Sequence, residues 1–257
     1  MARVAPIRHT RVHDYGHLVR QWRSVARAQK LSLRPYASAS GYELFYIEPR
    51  KPAPDLPWIY LSAGIHGDEP APPAALLEWV ATRPQTLREF NLLAFPCLNP
   101  WGLVNNTRTD ANGRDLNRTY HTDDVPQTAA HKAVLADRRF ALAIALHEDY
   151  DANGIYIYEI PSAKRYWAES LLETGGRYLP IDTRRTIEGR RSNAGIVRRA
   201  IRLDTLPEHP EALTLHFKHA DRTLTVETPS EAHIDARIAA HIAMLDRAMD
   251  LCLRSRI

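Results

Sequence analysis

The sequence predicts a single α/β domain in which a mixed, mostly parallel sheet is flanked by helices on both faces. Its 257 residues are enough for one large hydrophobic core, and 44% of them are hydrophobic against 25% charged, as in an ordinary globular domain. Short apolar runs of strand length alternate with segments of helix length, the order that is typical of such sheets. No internal repeat interrupts this order, so we treat residues 1–257 as one domain.

The elements of the first half follow in order. Residues 14–28 repeat apolar side chains at helical spacing and carry arginines on the other face, so we expect a basic N-terminal helix, within 1–30, that packs on the domain. Apolar runs then predict strands at 42–47, 58–63 and 91–98. A helix at 73–82 separates the second of these strands from the third, and the prolines before it suit a helix start.

The second half continues the pattern with less regularity. We predict strands at 140–146, 154–160, 213–217 and 224–227, and helices at 163–178 and 231–254. Ser230 is the expected N-cap of the last helix. Residues from about 180 to 213 carry few regular signals. We expect a long loop there that lies over the functional site, although a loop of that length can contain short strands.

Charge, cysteine content and the N-terminus limit the partners and the compartment. The formal net charge is +4, and much of it comes from an arginine-rich stretch, 184–202, that suits either a salt-bridged surface or a mouth that attracts acidic small substrates. No recognised motif accompanies these arginines, so we expect no nucleic-acid partner.

Cys97 and Cys252 read as core residues, since two cysteines give no disulfide framework. Without a signal-like N-terminus or an apolar run of membrane-span length, the sequence predicts a cytoplasmic protein with no membrane partner.

The candidate functional residues begin with His66 and Glu69, three positions apart and directly after the strand at 58–63. His147 follows the apolar run 140–146. Because sites gather at the carboxyl ends of strands in such sheets, we expect the three side chains to lie together. Two histidines and one carboxylate form a ligand set of catalytic zinc with a fourth position open, so the sequence predicts one zinc ion. Cobalt or manganese could occupy the same ligands.

Further motifs give these residues a family context. In chain order they are Asn99-Pro100-Trp101-Gly102, Arg108, Asp115-Leu116-Asn117-Arg118 and Glu227-Thr228-Pro229. Together with the His66 and Glu69 pair, this order resembles the zinc carboxypeptidase superfamily over roughly residues 55–255. The His-Gly-Asp-Glu motif and the compact length are most similar to the bacterial branch that includes murein peptide amidases. The succinylglutamate desuccinylase and aspartoacylase branch is a near relative.

The resemblance implies a zinc carboxypeptidase-like fold and a role for each site residue. Glu227 would be the general base, taking a proton from a zinc-activated water and returning it to the leaving nitrogen. Arg108 would stabilise the oxyanion and contact the substrate. Asn117 and Arg118 would bind a substrate carboxylate, and Asp115 would orient a zinc-bound histidine from behind.

These roles predict a zinc peptidase or amidase that cleaves an amide bond in a small peptide with a free carboxylate. The alternative is an N-acyl amino acid deacylase of the desuccinylase and aspartoacylase type. Those relatives usually carry a β-rich domain after the catalytic glutamate, whereas the residues after Glu227 read as one helix, which favours the peptidase. A catalytically inactive zinc-binding module is the third alternative. Trp101 and Thr119-Tyr120 depart from the family pattern, and the sequence predicts neither the scissile bond nor the oligomeric state.

Overall fold

A mixed sheet of eight strands organises the part of the chain that the computed structural model describes, which comprises residues 9–161, 165–198, 201 and 206–255. From one edge to the other, the strands are β1 (Leu31–Ala39), β2 (Tyr42–Pro49), β4 (Asn91–Phe95), β3 (Trp58–Ser62), β5 (Leu142–Asp149), β10 (Thr223–Pro229), β6 (Tyr156–Glu159) and β9 (Ile196–Val197). β3 pairs in parallel with both β4 and β5, and β10 pairs in parallel with β5. The carboxyl ends of the central strands therefore lie at the same end of the sheet.

Both faces of the sheet are covered by helices, namely α1 (Tyr15–Ala28), α2 (Ala71–Thr82), α3 (Pro100–Asn105), α4 (Pro126–Leu135), α5 (Ala168–Gly175), α6 (Glu211–Thr214) and α7 (Ile234–Arg254). Alternate residues of β3 enter two separate apolar cores. Ile59 and Leu61 pack with side chains of α1, α2, α5 and α7, whereas Tyr60 packs on the opposite face with Leu135 of α4. This alternation gives the two-sided α/β fold that the sequence predicts.

The N-terminal helix α1 is amphipathic, as the sequence predicts. Asp14 caps α1 by accepting a hydrogen bond from the backbone nitrogen of His17, and Trp22 is almost fully buried in the core. Cys97 and Cys252 are also buried, as expected. Within the described residues, we find no helix whose length and apolar character would let it cross a membrane.

The sequence missed one strand, and two of its strand predictions need correction. β1 was not expected, because its polar residues and Pro35 hide an edge strand with a bulge between Pro35 and Ala37. Residues 213–217 do not form a strand: α6 and a wide helical turn at Leu215–His219 replace it, since a short alternating run does not distinguish the two conformations. β5 extends through Asp149 because β10 pairs with it from Ala143 to Asp149. His147 therefore lies inside a strand rather than after it.

The ends of two helices also differ from the prediction. α5 begins at Ala168 because the buried carboxylate of Glu159 accepts hydrogen bonds from the backbone nitrogens there, and the start predicted at 163 lies outside the described residues. α7 begins at Ile234, with His233 rather than Ser230 as its N-cap. The backbone nitrogen of Ser230 instead donates to the carbonyl of Asp149.

The stretch from 180 to 213 contains more order than a loop. It includes the hairpin of β7 (Thr186–Ile187) and β8 (Arg190–Arg191) and the edge strand β9. Arg184 pairs with Asp182, and Arg198 pairs with Glu159. Two more arginines of this basic stretch, Arg199 and Arg202, lie outside the described residues. That the arginines of this stretch attract acidic small substrates to the site stays a prediction.

Candidate metal centre

Three adjacent parallel strands, β3, β5 and β10, bring the main candidate residues together. His66 and Glu69 lie in the loop after β3, and His147 lies near the end of β5. Glu227 of β10 is the direct register partner of His147. A cleft of about 950 Å³ opens over the carboxyl ends of these strands. It is lined by seven of the eight predicted site residues, all except Asp115.

His66, Glu69 and His147 offer three donor atoms that lie within 4.8 Å of one another. Glu69 lies between the two rings: its Oε1 is 2.5 Å from Nδ1 of His66, and its Oε2 is 3.0 Å from Nδ1 of His147. The second contact is close but not aligned as a hydrogen bond, so that buried oxygen has no hydrogen-bond partner among the described residues. All three side chains are at most 4% exposed.

Charge coupling within this trio is strong. Burial raises the pKa of Glu69, but the charges of His66 and His147 outweigh it and hold that pKa well below its usual range. Burial lowers the pKa of His66, whereas Glu69 and Asp115 raise it, with a net value of about 9. The carboxylate of Glu69 therefore stabilises a positive charge at the imidazole nitrogens that face it. That charge can be a proton on the ring or a metal cation bound to it.

The donor set fits zinc. Two imidazole nitrogens and one carboxylate oxygen, all buried and converging, are the protein ligands of a common class of catalytic zinc site. His66 also has the support that such ligands usually have, because its Nε2 lies 3.1 Å from Oδ1 of Asp115 while its Nδ1 faces Glu69. Asp115 thus lies behind a candidate ligand, and the orienting role that the family resemblance implies for it stays a prediction.

The Asn99-Pro100-Trp101-Gly102 motif supports the loop that carries His66 and Glu69. Asn99 caps α3 by accepting a hydrogen bond from the backbone nitrogen of Gly102, at 3.0 Å. Gly102 in turn lies directly against Gly67, where an added Cβ would stand only 1.9 Å from a backbone carbon. Glycine at 67 is therefore a steric requirement of the loop that carries the histidine and glutamate.

Arg108 lies on the same side of the site. Its Nε and one terminal nitrogen are each 3.0 Å from Oδ2 of Asp115, and its other terminal nitrogen is 4.0 Å from Glu69. Asp115 therefore bridges His66 and Arg108. The guanidinium stays 44% exposed and lines the cleft, where it can meet a negative charge.

Asn117 and Arg118 lie on a short helical turn, Leu116–Arg118, that follows Asp115. Asn117 is almost buried, and its Oδ1 accepts a hydrogen bond of 2.9 Å from the backbone nitrogen of Glu211. Arg118 is 40% exposed, and its Nε is 3.7 Å from a carboxylate oxygen of Glu208. Both residues face the cleft, on the wall formed by this turn.

Glu227 is 8% exposed and lines the cleft beside His147. Burial raises its pKa well above the usual range, although the nearby charge of His147 opposes the shift. A buried carboxyl group at the cleft, next to a candidate metal ligand, lies where a general base and acid could act.

Sequence reasoning missed several residues around the site. Glu148 is buried against Arg237, with 2.8 Å between Oε1 and a guanidinium nitrogen, and burial raises its pKa to about 8. Glu208 and Glu211 contact the predicted carboxylate-binding pair from a segment distant in sequence. No motif marks any of these glutamates, because each contact joins residues far apart in the chain. Only the position of Glu148 next to His147 gave a signal.

The mixed sheet and the converging His–Glu–His donors define an α/β fold with a candidate metal site at the carboxyl ends of its central strands. Residues 55–151 match the family model described as the succinylglutamate desuccinylase/aspartoacylase catalytic domain. This match confirms the predicted family resemblance over that segment, which contains His66, Glu69, Arg108 and His147. No curated protein matches the chain in sequence.

Solved structures confirm the fold over nearly the whole chain. A predicted metallopeptidase from Shewanella denitrificans OS217 is 22% identical with a TM-score of 0.81, covering 94% of this chain and 91% of that one. A metallo-carboxypeptidase from Burkholderia cenocepacia is 16% identical with a TM-score of 0.73, covering 95% and 70%. One from Pseudomonas aeruginosa, in complex with (2-guanidinoethylmercapto)succinic acid, is 16% identical with a TM-score of 0.65, covering 93% and 69%. At these identities the likeness concerns the fold alone.

Proposed function

We propose that this chain is a zinc-dependent metallocarboxypeptidase or amidase that hydrolyses an amide bond in a small peptide with a free carboxylate. The observation that carries the proposal is the buried trio of His66, Glu69 and His147, with Glu227 in direct register beside it at the cleft. A surface ion pair would not bury two imidazoles and two carboxyl groups at the carboxyl ends of adjacent central strands. Such an arrangement is common where groups hold a metal and move a proton.

His66, Glu69 and His147 would hold the zinc ion, which when bound supplies a Lewis acid and lowers the pKa of a water molecule in its open position. Asp115 is bonded to Nε2 of His66, so Nδ1 would be the nitrogen that holds the ion. Arg108, bound by the same carboxylate, would face the oxygen on which negative charge develops. The bond to Asp115 fixes the guanidinium before substrate arrives.

Glu227 would take the proton of the attacking water and give it to the leaving nitrogen. Its place on β10, opposite His147, holds the carboxyl on rigid backbone at the edge of the cleft. Its burial keeps bulk water from competing for the proton that it would carry from the attacking water to the leaving nitrogen.

Asn117 and Arg118 would bind the free carboxylate of the substrate. Arginine suits this role because its planar guanidinium can form two parallel hydrogen bonds to a carboxylate. The succinic acid derivative bound to the carboxypeptidase from Pseudomonas aeruginosa supports a small carboxylate-bearing ligand.

A second candidate is N-acyl amino acid deacylase, which rests on the description of the matched family model. It would use the same metal ligands and the same glutamate but release an acyl acid. Nothing favours the third alternative, an inactive module, because both the donor trio and Glu227 are in place. The cytoplasmic location stays a prediction.

The test is mass-spectrometric hydrolysis by the zinc-loaded protein on a pooled panel of short peptides, murein tripeptide and N-acyl amino acids. Glu227→Gln serves as the matched blank, since it keeps the shape of the side chain and should keep the metal. We expect it to lose about 10²- to 10⁴-fold in rate. Release of a terminal residue or cleavage of a γ-glutamyl bond would support the peptidase or amidase. Release of acetate or succinate alone would establish the deacylase, and full activity in Glu227→Gln would remove that residue from the mechanism.

A further inference from the structure

A buried glutamate that the proposed chemistry does not use lies directly behind the candidate carboxylate-binding turn. Glu211 is 1% exposed, at the first residue of α6. Its carboxyl accepts a hydrogen bond from the hydroxyl of Tyr60, inside the apolar core that covers the α4 face of the sheet. Its backbone nitrogen donates to Oδ1 of Asn117 at 2.9 Å. Glu211 thus connects the core to the site.

The hydroxyl of Tyr60 belongs to a longer chain of buried polar groups. It lies 2.9 Å from Nε2 of His131, whose Nδ1 lies 2.6 Å from the hydroxyl of Tyr120. Burial lowers the pKa of His131 to about 3, so the ring is neutral with one donor and one acceptor. Every contact is then satisfied in one direction: Tyr120 donates to His131, His131 donates to Tyr60, and Tyr60 donates to Glu211.

This chain of hydrogen bonds has a consequence at Asn117. Because Oδ1 of the amide is occupied by the backbone nitrogen of Glu211, the amide cannot flip without losing that bond. Its Nδ2 has no acceptor among the described residues, and Asn117 lines the cleft. An amide nitrogen held in one orientation on the cleft wall is suited to donate to a carboxylate oxygen.

The same segment is attached to the turn at two more points. The backbone nitrogen of Tyr120 donates to the carbonyl of His209 at 3.1 Å, and Glu208 contacts Arg118. The position of the turn relative to the cleft therefore depends on where residues 208–211 lie. Their deepest anchor is the carboxyl of Glu211.

We propose that Glu211 is a positioning residue that holds the Asn117 amide and its turn in the orientation that binds the substrate carboxylate. This inference rests on the proposed function in one respect, the meeting of Asn117 with a carboxylate. Apolar side chains of the same volume would fill this core without the cost of burying a carboxyl group. The polar chain instead favours one position of the carboxyl group, because moving it would leave the buried Tyr60 hydroxyl without its acceptor.

The test uses Glu211→Met, which keeps the length of the side chain but removes the acceptor, and Glu211→Gln, which restores an oxygen for Tyr60. The substrates are a peptide that the wild type hydrolyses and the same peptide with a C-terminal carboxamide. In Glu211→Met we expect the KM of the acid to rise about tenfold, with kcat, zinc content and the kinetics of the carboxamide unchanged. Glu211→Gln should recover most of the affinity.

Tyr60→Phe provides a second variant if Glu211→Met does not fold, and it should raise the same KM. Glu48→Met is the matched control, since Glu48 is also a buried, paired glutamate but contacts Arg34 and Arg138 away from the cleft. An equal loss on acid and carboxamide, or no change in the KM of the acid, would overturn the positioning role.

Calorimetric titration of the zinc-loaded protein with succinate separates this inference from the proposed function. If the wild type hydrolyses nothing in the panel, the proposed function fails, but weaker succinate binding in Glu211→Met than in Glu211→Gln would still support the positioning role. Equal succinate affinity in all variants, or no binding by the wild type, would overturn it.

Discussion

The metal side and the carboxylate side of the cleft are built in different ways. On the metal side, His147 and Glu227 sit within paired central strands, and His66 and Glu69 follow a third strand. All four side chains are buried, and the donor atoms of His66, Glu69 and His147 lie within 4.8 Å of one another. On the carboxylate side, Asn117 and Arg118 lie on a short turn whose orientation depends on a segment almost a hundred residues later in the chain.

This difference separates two requirements of a hydrolase. Atoms that hold a metal and move a proton must keep their geometry within a fraction of an ångström, which two central strands and a loop fixed by the close contact of Gly67 with Gly102 provide. Groups that select a substrate can vary if they sit on loops, where changes of sequence cost little stability. The metal side should therefore be common to proteins of this fold, and the carboxylate side should determine the particular substrate.

The largest effect should come from removing a donor on the metal side. His147→Ala leaves two donor residues, and we expect the loss of bound zinc together with all measurable hydrolysis. The metal content of the purified protein, measured by mass spectrometry, checks this. His219→Ala is the matched control, because His219 is a buried histidine outside the trio and its loss should leave zinc in place. Retention of a full equivalent of zinc by His147→Ala would remove that residue from the ligand set.

On the carboxylate side, Arg118→Ala should separate binding from chemistry. We expect zinc content to stay at the wild-type value while the KM for a substrate with a free carboxylate rises about 10- to 100-fold, because one charge-assisted contact is lost. Steady-state kinetics on the acid and on its carboxamide check this. Arg114→Ala is the control, since Arg114 is on the same loop but pairs with Asp110. If Arg118→Ala lowers kcat and leaves KM unchanged, the carboxylate side affects the chemical step, and the two sides of the cleft do not act independently.

The comparison also explains how far the sequence predicts the site. His66, Glu69 and His147 follow or end apolar strands, and parallel strands bring such positions to one edge, so their meeting was predictable. Asp115 could be placed behind His66 only through the family motif. The contact of Glu211 with Asn117 had no signal, because it depends on how α6 docks on a turn far away in the chain.

Two of the errors in secondary structure concern the segment after Glu211 and the stretch that contains β9, and both contribute to the cleft. Residues 213–217 alternate like a strand but form a helical turn, since Leu213 and Leu215 are buried by the docking of α6 rather than by a sheet. β9 has only two residues and is stabilised by its pairing with β6. Periodicity predicts elements that are long and regular. Here the segments that shape the carboxylate side are short, and tertiary contacts decide their conformation.

The polar core behind the carboxylate side should make stability depend on pH. His131 has a pKa of about 3 in the folded protein because it is buried, against an ordinary value of about 6.5. Between these values the unfolded chain binds more protons, so the free energy of unfolding falls as the pH drops, by on the order of a few kcal/mol. Chemical unfolding at about pH 7 and about pH 5 should show a smaller loss in His131→Gln than in the wild type. Equal losses would mean that His131 does not carry the effect.

The smallest effect should come from the contact between Glu208 and Arg118. Both side chains are about half exposed, with 3.7 Å between the nearest nitrogen and oxygen, so a substrate carboxylate can reach the guanidinium but must share it with Glu208. Glu208→Gln should therefore lower the KM of a carboxylate substrate about two- to threefold, as expected for an exposed ion pair, and added salt should reduce the difference. Glu231→Gln, on the same cleft but without a contact to Arg118, should change nothing. A higher KM in Glu208→Gln would instead mean that Glu208 binds a positive group of the substrate, so that the carboxylate side recognises an amino acid by both of its charges.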